Sequence, residues 1–196
     1  MRVNIASPLM GTYDIPSGET ASDSYASHMD GPVKVVEEYG QPIFTSQLVL
    51  SGPGNSFNET MGYPINQFTT DYWFPYYDHG YPSVVDDNVR TWILVGNPSA
   101  SETATVNIYI GGVLQDGSPF SVAPGNRVTP RWIGTVGGPV HVVSDIPVFA
   151  SERVFTVPED SFNEVMGVPA DQLTSEYWFP WYDSINMENS ILISRP

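Results

Sequence analysis

A sequence block that occurs twice constrains this chain more than any other feature. Ser56-Phe57-Asn58-Glu59 returns as Ser161-Phe162-Asn163-Glu164, and Tyr72-Trp73-Phe74-Pro75 returns as Tyr177-Trp178-Phe179-Pro180. Both copies are displaced by 105 positions (161 minus 56), and the residues between the blocks keep the register without a gap. Such a match indicates that one structural unit has been duplicated.

The two ends of the chain contain parts of the same unit. Val3-Asn4-Ile5 matches Val106-Asn107-Ile108, and Ile191-Leu192-Ile193 matches Ile93-Leu94-Val95. The sequence therefore opens inside one repeat, passes through a complete one and ends inside a third. We predict the later half of a unit at 1–50, a linker at 51–71, a complete unit at 72–157, a second linker at 158–176 and the first strands of a further unit at 177–196.

Proline and glycine separate short runs that are rich in valine, isoleucine and aromatic residues, which is typical of an all-β fold. Alternation in one run places Val106, Ile108 and Ile110 on the core face of a strand. Seven such runs in the complete unit predict an immunoglobulin-like β-sandwich, with units in tandem, one complete and one composite of the N- and C-terminal halves. The predicted strands are 72–76, 91–95, 104–110, 120–122, 128–132, 140–143 and 148–155.

Turns and linkers carry local signals that agree between the copies. Ala123-Pro124-Gly125-Asn126 and Pro16-Ser17-Gly18-Glu19 both predict a tight turn with glycine at a position of positive φ. In the linkers, Ser56 with Glu59 and Ser161 with Glu164 have the spacing of a helix capping box. These four residues predict one short helical turn in each linker.

Several strands of the unit resemble a known family. They are the run Thr91 to Pro98, the run Ala104 to Ile110, the turn near Pro124 and the ending Asp145 to Arg153. Together they are similar to the β-sandwich family of sensory rhodopsin transducers and to tandem repeats of bacterial surface proteins, over about 80 residues of one unit. The resemblance implies a binding or scaffolding module, often oligomeric, rather than an enzyme.

Composition excludes several classes of function. Seven Lys and Arg against 22 Asp and Glu give a net charge of −15, which repels phosphate backbones and argues against nucleic acid as a partner. The chain has no cysteine, so a disulfide framework or a thiolate metal site is impossible. No apolar run is long enough to predict a membrane span.

The sequence offers no catalytic constellation. His28, His79 and His141 lie far apart and have no partner at metal-ligand spacing. Glu59 with Asp78 could form a glycosidase pair, but the pair recurs as Glu164 with Asp183 inside the repeat, which favours capping and turn roles. We therefore expect no enzyme, no metal site and no cofactor.

A calcium ion near Asp86 and Asp87 stays an open alternative, although a solvated loop is the simpler interpretation of these residues.

The incomplete halves predict self-assembly. Residues 1–50 lack the aromatic first strand and the Ile-Leu-Val-like second strand of a unit, and 177–182 and 190–194 supply both at the opposite end. We expect these segments to be donated to a half-unit of the 1–50 type. The residues expected to make that contact are Tyr177, Trp178, Phe179, Trp181, Tyr182, Ile191, Leu192 and Ile193.

The expected function is that of a non-catalytic extracellular or cell-surface subunit joined head-to-tail into a filament or surface layer. Ordered linkers between serial repeats favour donation between chains, and closure within one chain is the alternative. A second class of function stays open, a carbohydrate- or protein-binding surface module, because exposed aromatic rows such as 177–182 could stack on sugar rings.

Overall fold

The computed structural model describes residues 1–5, 8–51, 56–80, 89–156, 161–185 and 190–196. In these ranges strands dominate, and the helical structure consists of single 3-10 turns at Ile65–Gln67 and Ala170–Gln172. No helix in this part of the chain is long and apolar enough to cross a membrane. The all-β class predicted from the sequence is confirmed.

Most strands of the described ranges are short, and turns and loops connect each strand to the next. They are β1 (Arg2–Ile5), β2 (Leu9–Thr12), β3 (Val33–Val36), β4 (Ser46–Ser51), β5 (Ser56–Met61), β6 (Thr69–Phe74), β7 (Tyr77–Asp78), β8 (Val89–Gly96), β9 (Ala104–Ile110), β10 (Val113–Leu114), β11 (Phe120–Val122), β12 (Arg127–Val128), β13 (Val136–Gly137), β14 (Val140–Thr156), β15 (Phe162–Met166) and β16 (Val168–Pro169).

One long strand, β14, pairs with four other strands in the middle of the chain. This region, residues 69–169, contains the complete unit predicted at 72–157 and is called the complete unit from here on. The first half of β14 pairs antiparallel with β9 and β6, and its second half pairs antiparallel with β8 and β15. The pairing with β6 shifts in register between Val143 and Val148, where the strand changes partners. β14 therefore belongs to both groups of strands that enclose the core, although the sequence predicted two separate strands here.

The core of the complete unit is drawn from alternate residues of β6, β8, β9 and β14. Val106, Ile108 and Ile110 are buried, as their alternation predicts, and Tyr72 and Val142 lie in the same cluster. The tight turn at Ala123 to Asn126 also forms, with Gly125 at φ 67, and its counterpart places Gly18 at φ 83. Positive φ at these two positions is the reason that glycine occupies them.

The N-terminal half-unit (residues 1–61) repeats the strand pairings of the complete unit. β1 lies between β2 and β3, as β9 lies between β10 and β14. In the complete unit Ile110 pairs with Val140, and in the half-unit Ile5 pairs with Val33. β4 and β5 form a hairpin whose register, Ser46 opposite Met61, matches that of Ser151 and Met166.

These pairings correct one sequence match. The sequence match pairs Val3-Asn4-Ile5 with Val106-Asn107-Ile108, but the strand pairing with β3 makes Val3 equivalent to Ile108 and Ile5 equivalent to Ile110. The two alignments differ by two residues, which is one full period of a strand. Because such a slip keeps every side chain on the same face, the apolar pattern fits both alignments equally well.

The predicted capping boxes are wrong. Ser56 and Glu59 lie within β5, Glu164 lies within β15 and Ser161 lies just before it, so none of them caps a helix. The 3-10 turns begin after Pro64 and Pro169 instead, without a side-chain cap hydrogen bond. Alternating burial along β5 shows why a strand prevails, since the block places every second side chain on one face.

Candidate functional site: an open half-unit and a C-terminal segment outside the strands

The N-terminal half-unit repeats strand pairings of the complete unit but has no closed core. Val33 is 50% exposed, whereas its equivalent in the complete unit, Val140, is fully buried. Among the described residues, β3 pairs only with β1, and β4 pairs only with β5. One edge of each strand and one apolar face are therefore open to solvent.

The C-terminal segment (residues 174–196, described except for 186–189) contains the residues predicted for donation. None of its described residues forms a strand in this single chain. Tyr177 is 55% exposed and Phe179 66% exposed, whereas their equivalents Tyr72 and Phe74 are 0% and 2% exposed. The other residues predicted to be donated are exposed as well, namely Trp178, Trp181, Tyr182, Ile191, Leu192 and Ile193.

The start of this segment already has the local geometry of its buried counterpart. The Thr174 backbone N–H donates to the Tyr177 hydroxyl at 3.2 Å, as the Thr69 N–H donates to the Tyr72 hydroxyl at 3.2 Å. The residue that ends the preceding 3-10 turn has φ −66 and ψ 134 at Leu173 and φ −67 and ψ 136 at Phe68. The second linker therefore leaves the segment in the conformation that leads into β6.

The complete unit shows what the equivalent residues do when they are paired. Phe74 lies opposite Val140 and Tyr72 opposite Val142, and both aromatic side chains enter the core. The Tyr72 hydroxyl donates to the Val148 carbonyl at 2.9 Å, and burial raises the pKa of that hydroxyl. β8 pairs with the second half of β14, where Ile93 lies opposite Glu152.

The two units meet through their repeated blocks. Asn58 donates from Nδ2 to Oδ1 of Asn163 at 2.6 Å, and the two residues occupy the same place in β5 and β15. The Phe162 backbone N–H donates to Oγ of Ser56 at 3.3 Å, which lies 3.3 Å from Oγ of Ser161. Equivalent residues thus lie side by side.

Glu59 and Glu164 bind across the hairpins rather than at helix ends. Ser46 donates to Oε1 of Glu59 at 2.6 Å, and Ser151 donates to Oε1 of Glu164 at 2.7 Å. Glu164 also accepts from Arg153 at 2.6 Å. A duplicated structural hydrogen bond explains why both carboxylates recur in the repeat.

Sequence reasoning missed a carboxyl group inside the complete unit. Glu152 is buried on β14, on the same side of the strand as Val148 and Ala150. Burial raises its pKa to about 8. The hairpin register makes Gln47 the equivalent residue of the half-unit, so an uncharged side chain occupies this place in the other copy. The difference between Glu152 and Gln47 in the aligned copies is the sequence signal that could have revealed this buried carboxyl group.

An aromatic cluster lies on the outer face of the strands β6, β9 and β14. The rings of Trp73 and His141 stack with centroids 3.8 Å apart, and Tyr109 lies 5.9 Å from the histidine ring. Oδ1 of Asp71 lies 2.9 Å from Nε2 of His141. A cleft of about 510 Å³ adjoins the cluster, and Arg195 and Pro196 form part of its wall.

The three histidines lie in three different environments. His28 is exposed, and His79 is buried with Nδ1 2.9 Å from the Thr91 carbonyl oxygen. In the described ranges no group of three or more His, Asp or Glu side chains could hold a metal ion. The calcium alternative at Asp86 and Asp87 lies outside the described residues.

Comparison with protein-family models, with curated proteins and with solved structures found no match for this chain.

Proposed function

We propose that this chain is a non-catalytic structural subunit, built of immunoglobulin-like sandwich units, that joins to further copies by strand donation. The C-terminal segment of one copy completes the N-terminal half-unit of the next, which gives a head-to-tail filament or surface layer. The proposed location is extracellular or at the cell surface. The observation that carries the proposal is the contrast between Tyr72 and Phe74, buried in the complete unit, and Tyr177 and Phe179, exposed in the same local sequence.

The free energy of association would come from the same burial that stabilises the complete unit. A buried large apolar side chain contributes about 1.5 to 3 kcal/mol relative to an exposed one. Tyr177, Phe179, Ile191 and Ile193 would each change from exposed to buried on donation, since their equivalents are core residues. Main-chain hydrogen bonds to the open edges of β3 and β4 would add to this.

One observation favours donation between chains. The residues that flank the 3-10 turns of the two linkers have nearly the same backbone dihedral angles, yet none of the described residues that follow the second turn forms a strand in this single chain. The contacts between the repeated blocks support the alternative, closure within one chain. They join equivalent residues, Asn58 with Asn163 and Ser56 with Ser161, and the donor lies in the first block in one hydrogen bond (Asn58) and in the second block in another (Phe162 to Ser56). Contacts between equivalent residues are typical of a local two-fold relation.

Negative-stain electron microscopy of the purified full-length protein tests the proposal. Filaments or sheets are expected with the native chain and should be lost when residues 177–196 are deleted. Single compact particles with both proteins would contradict it.

The second candidate is a carbohydrate-binding surface, and exposed aromatic rings favour it. Trp178 is 86% exposed and Trp181 68% exposed, so flat apolar faces are available for stacking on sugar rings. A glycan array separates the two functions, since binding that is lost with Trp181→Ala would support the carbohydrate site. In the complete unit the Trp73 ring is already stacked on His141, which removes one of its faces from ligand contact.

A further inference from the structure

The outer face of the complete unit shows how a paired first strand is held in register. Trp73 lies directly opposite His141, and the two rings stack with an interplanar angle of 9°. Asp71, two residues earlier on β6, binds the same histidine at 2.9 Å. One side chain of β14 is therefore held by both an aromatic ring and a carboxylate of β6.

The equivalent places in the two incomplete halves carry matching chemistry. Trp178 and Glu176 are equivalent to Trp73 and Asp71, and the register of β3 makes Lys34 equivalent to His141. Lys34 is exposed and is the only lysine of a chain whose net charge is −15. An aromatic ring and a carboxylate therefore recur near the C-terminus. A cation that can bind both of them lies near the N-terminus, at the place of the histidine.

We infer that residues 174–179 of a second copy pair antiparallel with β3 in one register, with Trp178 opposite Lys34, and that the ammonium group of Lys34 lies between Trp178 and Glu176. This inference rests on the proposed function and names its contact. The same register places Phe179 opposite Val33 and Tyr177 opposite Val35. Both aromatic side chains then face the open core of the half-unit.

Charge and backbone chemistry select this register over its neighbours. A slip of one residue would turn Tyr177 and Phe179 outward. A slip of two residues in one direction would place Pro180, which has no N–H, opposite Lys34. A slip of two in the other direction would place Glu176 directly opposite Lys34 but Trp178 opposite Pro32, which removes the ring from the lysine. An ammonium group over an indole ring with a carboxylate beside it is favourable only in the inferred register.

Zero-length carbodiimide cross-linking of the full-length native protein tests the contact. Because the chain has one lysine, amide products at a lysine side chain can arise only from Lys34. We expect a cross-linked peptide pair that joins Lys34 to Glu176. When equal amounts of dissociated chains of natural and ¹⁵N-enriched isotope content are mixed before assembly, half of the pairs should be of mixed isotope content, which places the contact between chains.

The outcomes separate the register from the proposed function. Filaments without a Lys34–Glu176 product would overturn the inferred register and leave strand donation standing. Pairs of one isotope content only would show closure within a chain, and would overturn the second copy as the occupant. A protein that stays monomeric under all conditions and gives no product would contradict both.

Charge reversal gives an independent measurement of the same contact. Lys34→Glu is expected to weaken self-association about fivefold, and Glu176→Lys added to it should restore the native affinity to within about twofold. Arg2→Glu is the matched control, since Arg2 binds Glu38, two residues beyond the end of β3, at 2.9 Å and its loss should not be rescued by Glu176→Lys. Equal effects of the single and double variants would contradict the pairing.

Discussion

At the scale of single residues, the comparison of the two copies explains side chains that look catalytic in the sequence. Glu59 and Glu164 each accept a hydrogen bond from a serine of the partner strand. Both glutamates recur because each hairpin contains the same hydrogen bond from serine to glutamate. Ser56 and Asn58 similarly bind their own equivalents in the second unit. A sequence reading could find that these residues matter but could not assign their partners, because the partners lie on strands whose pairing it did not know.

The two carboxylates differ in the number of their partners, which gives a prediction. Glu164→Gln removes the charge that pairs with Arg153 and is expected to lower the free energy of unfolding by about 1 kcal/mol. Glu59→Gln is the matched control, because the amide oxygen can still accept from Ser46, and should change stability by less than half of that. Urea unfolding of both variants measures the difference. Equal losses would show that the Arg153 ion pair is not the distinguishing contact.

The buried carboxyl group of Glu152 predicts how stability depends on pH. Its folded pKa of about 8 lies above its ordinary value of 4.5, so the folded state favours the protonated form. Its contribution to the free energy of unfolding is fully present below pH 4.5 and is lost as the pH rises through 8, by on the order of 4 to 5 kcal/mol.

Glu152→Gln copies the residue at position 47 and should remove this dependence. The variant is expected to be more stable than the native protein at pH 8 and similar to it at pH 4.5, as measured by denaturant unfolding at both values. Glu102→Gln, at an exposed position, serves as the control and should leave the pH dependence as it is. A native stability that stays constant from pH 4.5 to pH 8 would contradict the account of Glu152.

At the scale of strands and turns, the sequence predicted elements well where an apolar run and its flanking turns agree. The run at 104–110 and the run at 120–122 form strands with those bounds. The linker strands β5 and β15 were missed, because Ser and Glu three residues apart suggest a cap when no partner strand is known. Register was missed for a similar reason, since a two-residue slip of β1 changes neither face nor apolar pattern.

The repeat supplies matched substitutions that separate assembly from folding. Phe179→Ala should weaken self-association by about a hundredfold or more, since a buried phenylalanine contributes about 3 to 5 kcal/mol, while the thermal unfolding of the complete unit stays unchanged. Phe74→Ala removes the same side chain from the closed core and should lower the unfolding temperature. Sedimentation velocity and circular dichroism measure the two effects. Loss of folding with Phe179→Ala would show that this residue already belongs to a closed core.

At the scale of the whole molecule, the chain divides into a closed unit and two open parts, which we propose complement each other. The duplication could be read from the sequence. The relation between the units could not, because it depends on contacts such as Asn58 with Asn163 that join distant parts of the chain. The central claim is that the open parts are completed by another copy.

Light scattering over a wide range of protein concentration tests that claim most directly. The full-length chain is expected to increase in mass with concentration well beyond a dimer, whereas the chain without residues 177–196 should remain a soluble, partly folded monomer. A compact full-length monomer at every concentration would contradict donation between chains and would leave closure within one chain as the explanation of the complementary halves.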